Sequence, residues 1–114
     1  VPIDLSIISM DKAMIGTGPI FGKAVDTPGL IIAGTDPVAA DCIGARLLGF
    51  LPQAVNYLYM LYKDNLGEAE PQKMTIKGLD VKEAEQLFNK CAYGDKKSIL
   101  DQKYVKDLHD ENKK

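Results

Sequence analysis

The segment GTDPVAADCIGARLLGF, residues 34–50, decides the fold because it specifies a helix and fixes where the charges of that helix lie. Asp36 is a residue type that often caps a helix N-terminus, and Pro37 suits the first helical position, where its missing N–H costs nothing. Gly49 suits the left-handed conformation that ends many helices. The pattern therefore predicts a helix over residues 37–48.

Asp41 stands out because it places a carboxylate in the second turn of this otherwise apolar helix. Arg46 is the only other charged residue of the helix, so we expect the helix, and Asp41 with it, to be largely buried. An unpaired buried carboxylate costs several kcal/mol or shifts its pKa upward. Asp41 is therefore expected to be paired, hydrogen-bonded or protonated. It either pins a neighbouring loop to the helix or faces a cleft as a metal ligand or acid–base group; solvent exposure is the third alternative.

Residues 12–29 are rich in glycine and proline and are predicted to form a long loop. Loops of this length in small domains are usually functional or mobile. The loop offers backbone N–H groups near Gly16, Gly18 and Gly22 that a carboxylate such as Asp41 can accept. The loop motif GTGPIFG, residues 16–22, differs from the Walker loop and from the dinucleotide fingerprint.

The remaining pattern predicts an α/β fold with a small mixed or parallel sheet of about three strands and helices packed on it. The segment LIIA is apolar on both sides, as in an interior strand with both sheet faces covered. We expect one α/β domain over residues 1–94, followed by a charged helical tail over residues 95–114. The predicted strands are residues 3–10, 30–33 and 74–78.

Two further helices are predicted from apolar stripes. One begins at Pro52 and ends at Gly67, and its inward stripe is Val55, Leu58, Leu61 and Tyr62. The other begins at Asp80, and its buried stripe is Val81, Ala84, Leu87, Phe88 and Cys91.

The composition narrows the classes of protein that fit. A net charge of -2 and a pI near 5.3 argue against a general nucleic-acid binder. The sequence has no apolar run of the ~20 residues that a membrane span needs. Cys42 and Cys91 are far apart, which favours two buried thiols in a reducing, cytoplasmic setting.

The start of the helix is predicted to be a poor phosphate site, because Asp36 and Asp41 both place negative charge there. A divalent metal is the better charged ligand for these two carboxylates, since hard cations prefer clustered oxygens. Asp11 can join them if the first two strands are parallel, whereas it lies at the opposite sheet edge if they are antiparallel.

Four motifs resemble a prokaryotic family known as domain of unknown function 362. They are the Gly-x-Gly-Pro loop at residues 16–19, the apolar strand at 30–33, Asp-Pro-Val-Ala-Ala-Asp at 36–41, and Leu66-Gly67. The resemblance covers roughly residues 1–78 and implies that the chain is the C-terminal part of a larger domain. Many members of that family carry iron–sulfur clusters, but two cysteines cannot hold a cluster, so a redox role requires another segment or a partner.

Together these features predict a soluble domain that forms one wall of a ligand or metal pocket, in a redox-associated parent protein. The alternative is a non-catalytic structural or interaction module whose tail contacts a partner or a second copy, as in a homo-oligomer. The sequence names no reaction. The residues predicted to form the pocket wall are Gly16, Gly18, Pro19, Gly22, Asp36 and Asp41.

Overall fold

A computed structural model describes residues 2–93, so the predicted tail over residues 95–114 lies outside the described residues. Two strands are followed by three helices, and short 3-10 turns occupy Pro52–Ala54 and Pro71–Lys73. The α/β fold class is confirmed. The elements are β1 (Ser6–Thr17), β2 (Phe21–Gly34), α1 (Pro37–Leu47), α2 (Asn56–Lys63) and α3 (Val81–Tyr93).

β1 and β2 form a long antiparallel hairpin, with Ser6 opposite Gly34 at its base and Thr17 opposite Phe21 near its tip. The prediction of a loop over residues 12–29 is therefore wrong. Gly18 and Pro19 occupy the turn and Pro28 and Gly29 the bulge region, which are positions that a hairpin tolerates, and Gly16 and Gly22 pair with each other beside the tip. The bulge interrupts the register after Met10, and the Thr27 hydroxyl donates a hydrogen bond to the Met10 carbonyl there.

The sheet contains only these two strands among residues 2–93, so the predicted third strand and the parallel pairing are both wrong. Residues 74–78 form no strand, and residues 74–77 line a cleft together with the base of β2. The sequence pattern does not indicate a strand over residues 21–29, because Pro28 and Gly29 interrupt it; both residues belong to the bulge region of β2.

One hydrophobic cluster lies between the hairpin and the helices α1 and α3. Its buried members are Met10, Leu47, Ala84 and Phe88, and the inward side chains of both strands pack against it. Helix α1 lies close to the sheet at Gly44, where an added Cβ would make ordinary van der Waals contact with Ile8 at 3.6 Å. An ion pair between Arg46 and Glu85 links α1 to α3 beside this cluster.

A second cluster lies on the other side of α1, where α2 packs. Leu58 is fully buried, and Val55, Leu61 and Tyr62 are half-buried around it, which confirms the apolar stripe predicted for this helix. The stripe predicted for α3 is confirmed at Ala84 and Phe88. It is wrong at Leu87 and Cys91, which are exposed. The buried residues of this second cluster are Val38, Cys42, Leu58 and Ala69.

The helix ends follow the capping rules with one exception. Gly49, at φ 86°, ends α1 as predicted, with its N–H and that of Phe50 donating to carbonyls of the last turn. The left-handed residue that follows α2 is Asn65, at φ 57°, and Gly67 does not have this role. Asn tolerates the left-handed conformation better than most residues, so it can replace glycine there.

Candidate functional site

Asp36 organises the start of α1, as the sequence predicts. Its Oδ1 atom accepts hydrogen bonds from the backbone N–H groups of Val38 and Ala39, at 2.9 and 3.1 Å. These bonds satisfy two of the helix N–H groups that have no partner within the helix.

The second carboxylate oxygen of Asp36 ties the helix start to a distant segment. Oδ2 accepts a hydrogen bond from the backbone N–H of Glu68 at 2.9 Å. Gly67 makes this approach possible, since a Cβ at that position would lie 2.4 Å from Val38 Cβ and 2.7 Å from Asp36 Oδ1. The Leu66-Gly67 pair thus acts through close packing. We call the contact of the α1 start with residues 66–70 the junction.

Cys42 and Gln53 complete the junction. The Cys42 thiol and the Gln53 side-chain amide both donate to the carbonyl of Ala69, at 3.2 and 3.1 Å. Burial raises the pKa of Cys42 to about 12; the nearby Arg46 charge opposes this increase, and the carboxylates of Glu68 and Asp36 add to it. Cys42 is therefore a protonated hydrogen-bond donor. Sequence reasoning identified its burial but missed its partner, because nothing local in the sequence marks Ala69 or Gln53.

Asp41 lies elsewhere than predicted. It is exposed, and its Oδ2 atom accepts a hydrogen bond from the Tyr57 hydroxyl at 3.1 Å. Burial and this bond to Asp41 raise the pKa of Tyr57. The prediction of a buried Asp41 fails because α1 buries two separate strips, one against the hairpin and one against α2. Asp41 occupies the remaining strip.

The glycine motif lies at the hairpin tip, where Gly16 pairs with Gly22 and the turn comprises residues 18–20. Ten residues along β1 separate Gly16 from Ser6 at the base, which corresponds to roughly 30 Å. The residues of the glycine motif therefore cannot contact the α1 start; they are Gly16, Gly18, Pro19 and Gly22. The prediction that this loop and the α1 carboxylates share one pocket wall is wrong.

The tip has its own packing. A Cβ at Gly22 would lie 2.3 Å from both Cγ and Sδ of Met14, so this glycine leaves room for the Met14 side chain. Gly18 lies against the same sulfur, at a Cβ distance of 3.1 Å. The next side chains, Ile20 and Phe21, are 81% and 83% exposed.

The two predicted metal ligands do not converge. Asp36 and Asp41 are five residues apart on one helix, which places them about 140° apart around its axis. Three N–H groups already occupy the Asp36 carboxylate. Asp11 lies at the bulge of the antiparallel hairpin, away from both. Within residues 2–93 no group of three or more His, Cys, Asp or Glu side chains is placed to hold a metal ion.

A cleft of about 790 Å³ lies beside the junction, on the edge of β2 that β1 does not cover. Its walls are the base of β2, one side of α1, residues 73–79 and the start of α3. Asp36 and Glu68 form the end at the junction. The apolar side chains of the lining include Leu30, Ile32, Ile43, Leu47, Met74, Ile76, Leu79 and Val81, and its polar residues include Thr35, Lys73, Thr75 and Lys77.

These features define a small α/β domain in which a β-hairpin packs on α1 and α3, while α2 packs on the other side of α1. The family model "Domain of unknown function (DUF362)" matches residues 1–46, which confirms the resemblance to that family over the hairpin and most of α1. The match ends before the 66–70 side of the junction. No curated protein and no solved structure matches the chain. Among residues 2–93 no helix has the length and apolar character needed to cross a membrane.

Proposed function

We propose that this domain binds a small organic ligand, with an apolar body and an anionic group, in the cleft between β2, α1 and residues 73–79. The observation that carries the proposal is the cleft itself, because its volume of about 790 Å³ is typical of small-molecule sites. Of the six residues first predicted to bind a ligand, only Asp36 lines this cleft.

The lining supports this ligand class. Apolar side chains along β2 and α1, such as Ile32 and Ile43, favour the burial of an apolar group. On the opposite wall, Lys73 forms an ion pair with Glu70, whereas Lys77 is exposed and can attract an anion. The hydroxyl groups of Thr35 and Thr75 offer further hydrogen bonds.

A divalent metal remains a weaker proposal for this chain, because Asp36 already accepts three hydrogen bonds. A redox association rests on the family resemblance alone. Cys42 donates to a carbonyl inside the junction and Cys91 is exposed on α3, so a cluster needs ligands from another segment or a partner.

The proposal is tested with the fluorescent probe 8-anilinonaphthalene-1-sulfonate, which combines an apolar ring system with an anionic group. Ala39 is half-buried and lines the cleft, so Ala39→Phe should fill the space and weaken probe binding at least tenfold. Ala24→Phe is the matched control, because Ala24 is exposed on β2 outside the cleft. Equal probe affinity in both variants, with circular dichroism unchanged, would overturn the proposal.

The anionic part of the proposal has its own test. Lys77→Ala should weaken binding of the sulfonate probe several-fold and reduce its salt dependence, whereas Lys63→Ala, on α2, should leave both unchanged. Ile7→Thr tests whether the probe binds the exposed face of the hairpin instead, since Ile7 is 65% exposed and does not line the cleft. Loss of the signal in Ile7→Thr alone would argue against the cleft.

A further inference from the structure

The hairpin buries one face of its base and leaves the other face open. Ile8 and Ile32 point into the first hydrophobic cluster, whereas their neighbours Ile7 and Ile31 are 65% and 71% exposed. We call this outer surface the open face. It consists of Leu5, Ile7, Ser9, Ile31 and Ala33, all of them exposed.

The strand register brings these side chains together. Ile7 lies opposite Ala33 and Ser9 opposite Ile31, so Ile7 and Ile31 are diagonal neighbours on one surface. Leu5 continues the alternation at the start of β1 and is 58% exposed. Towards the tip, a cross-strand pair of Lys12 with Asp26 bounds the apolar area. The open face is thus a contiguous, uncharged patch with a charged limit.

We infer that a second copy of this chain covers the open face, with two hairpin bases packed face to face across a two-fold axis. Such a dimer explains why Leu30–Ala33 is apolar on both sides, as in a strand covered on both sheet faces. A two-fold axis matches each patch with an identical one, so an uncharged apolar surface meets another.

The area of the open face fits a weak dimer. Its three large side chains each expose on the order of 100 Å², so with Ser9 and Ala33 a symmetric dimer buries about 800–1,000 Å². This value lies below the roughly 1,200 Å² of standard specific interfaces, so we expect a dissociation constant in the micromolar range or weaker. The neutral centre of the patch argues for a copy of this chain over a strongly charged partner.

Pairing along the free edge of β2 would not have the same effect. In antiparallel edge pairing the two-fold axis runs perpendicular to the sheet, so both open faces lie on the same side and stay exposed. Face-to-face packing at the ~10 Å spacing of stacked sheets removes them from water. Ile31 and Ala33 of the open face also line the cleft. The inference rests on the exposed face and the strand register, and it does not require a ligand in the cleft.

The test is sedimentation velocity on the full chain from 1 to 200 µM. We expect the mass to increase with concentration from 12.5 kDa towards twice that value. Ile7→Lys should shift the dissociation constant at least tenfold upward, and Leu5→Lys should act in the same direction. Ile20→Lys is the matched control, because Ile20 is 81% exposed at the hairpin tip and lies outside the open face.

A crosslinking experiment gives an independent readout. In a Cys91→Ser background, Ala33→Cys places a thiol opposite Ile7 in the middle of the open face, and mild oxidation should give a covalent dimer in high yield. Thr17→Cys, near the tip, should give little. A chain that stays monomeric to 200 µM, or one in which Ile20→Lys dissociates the dimer and Ile7→Lys does not, overturns the inference.

Discussion

The junction and the hairpin tip both contain glycine motifs, and the two motifs do different physical work. At the junction, Gly67 lies against Val38 Cβ, an atom held by the helix backbone. At the tip, Gly22 faces the flexible end of Met14, whose side chain is 49% exposed. A glycine is therefore indispensable where its neighbour cannot move, and replaceable where the neighbour can swing into solvent.

The two regions also differ in how their polar groups are satisfied. The Asp36 carboxylate and the Ala69 carbonyl accept five hydrogen bonds between them, and three of these come from groups that are far apart in sequence. The tip turn has one backbone bond outside the strand pairing, from Gly18 N–H to the Gly16 carbonyl. The junction is thus a tertiary structure, whereas the tip is a local one.

The largest expected effect is on the chemistry of Cys42. With its pKa raised to about 12 by burial, its ionised fraction at pH 8 is about a thousandfold below that of an ordinary thiol, whose pKa is 9.0. Iodoacetamide should therefore label Cys91 in the folded chain and label Cys42 only after urea is added. Mass spectrometry of tryptic peptides measures both. Rapid labelling of native Cys42 would contradict the structure of the junction.

The same shift gives a pH dependence. Because the folded pKa of Cys42 is above the unfolded value, its contribution to stability is complete below about pH 9 and is lost as the pH rises towards 12. The Cys42→Ala variant should lack this component of the alkaline loss of stability. Urea unfolding at pH 8, 9 and 10 measures it.

The next largest effect is expected from Gly67→Ala. The added Cβ would overlap Val38 Cβ and Cγ2 at 2.4 and 2.5 Å, and Cβ cannot move without displacing the α1 backbone. We expect the free energy of unfolding to fall by about 2–4 kcal/mol, measured in urea. Gly34→Ala is the control, because its nearest atoms are 3.8 Å away. Similar stability in the two variants would show that the junction is looser than described.

Asp36 should follow, with Asp41 as its matched control. Asp36→Ala removes the helix cap and the bond to Glu68, so we expect a loss of about 2 kcal/mol. Asp36→Asn should lose less, because its amide oxygen still accepts the cap bonds from Val38 and Ala39 and only the bond from Glu68 N–H is lost. Asp41→Ala removes only an exposed bond to Tyr57 and should change stability by less than about 0.5 kcal/mol. A larger loss at Asp41 would reverse the assignment.

The sequence predicts local features of this molecule well. The Asp36 cap, the Gly49 helix end and the apolar stripe of α2 depend on residues within two turns of each other, and all are confirmed. Capping and helical periodicity are short-range effects, so one sequence contains the information needed to recognise them.

The site could not be predicted in the same way, because its partners are distant in sequence. The Asp36–Glu68 bond spans 32 residues, and the Cys42–Ala69 bond spans 27. The prediction that Asp41 is buried is wrong because the apolar composition of α1 does not reveal how the helix packs. The hairpin covers one side of α1 and α2 covers another, and the side that carries Asp41 stays exposed. The hairpin was missed because the bulge places Pro28 and Gly29 inside a strand.

The smallest effect is expected at the tip, from Gly22→Ala. The new Cβ would lie 2.3 Å from Met14 Cγ and Sδ, but this exposed side chain can adopt another rotamer. Alanine also makes the unfolded chain less flexible than glycine does, which favours the folded state. We therefore expect stability to change by less than about 1 kcal/mol. Adding Met14→Ala removes the obstacle, so in that background Gly22→Ala should be neutral or stabilising. Urea unfolding of the four chains gives the coupling energy directly. A coupling near zero would mean that Met14 does not lie over Gly22, and a loss as large as that of Gly67→Ala would remove the distinction between the two regions.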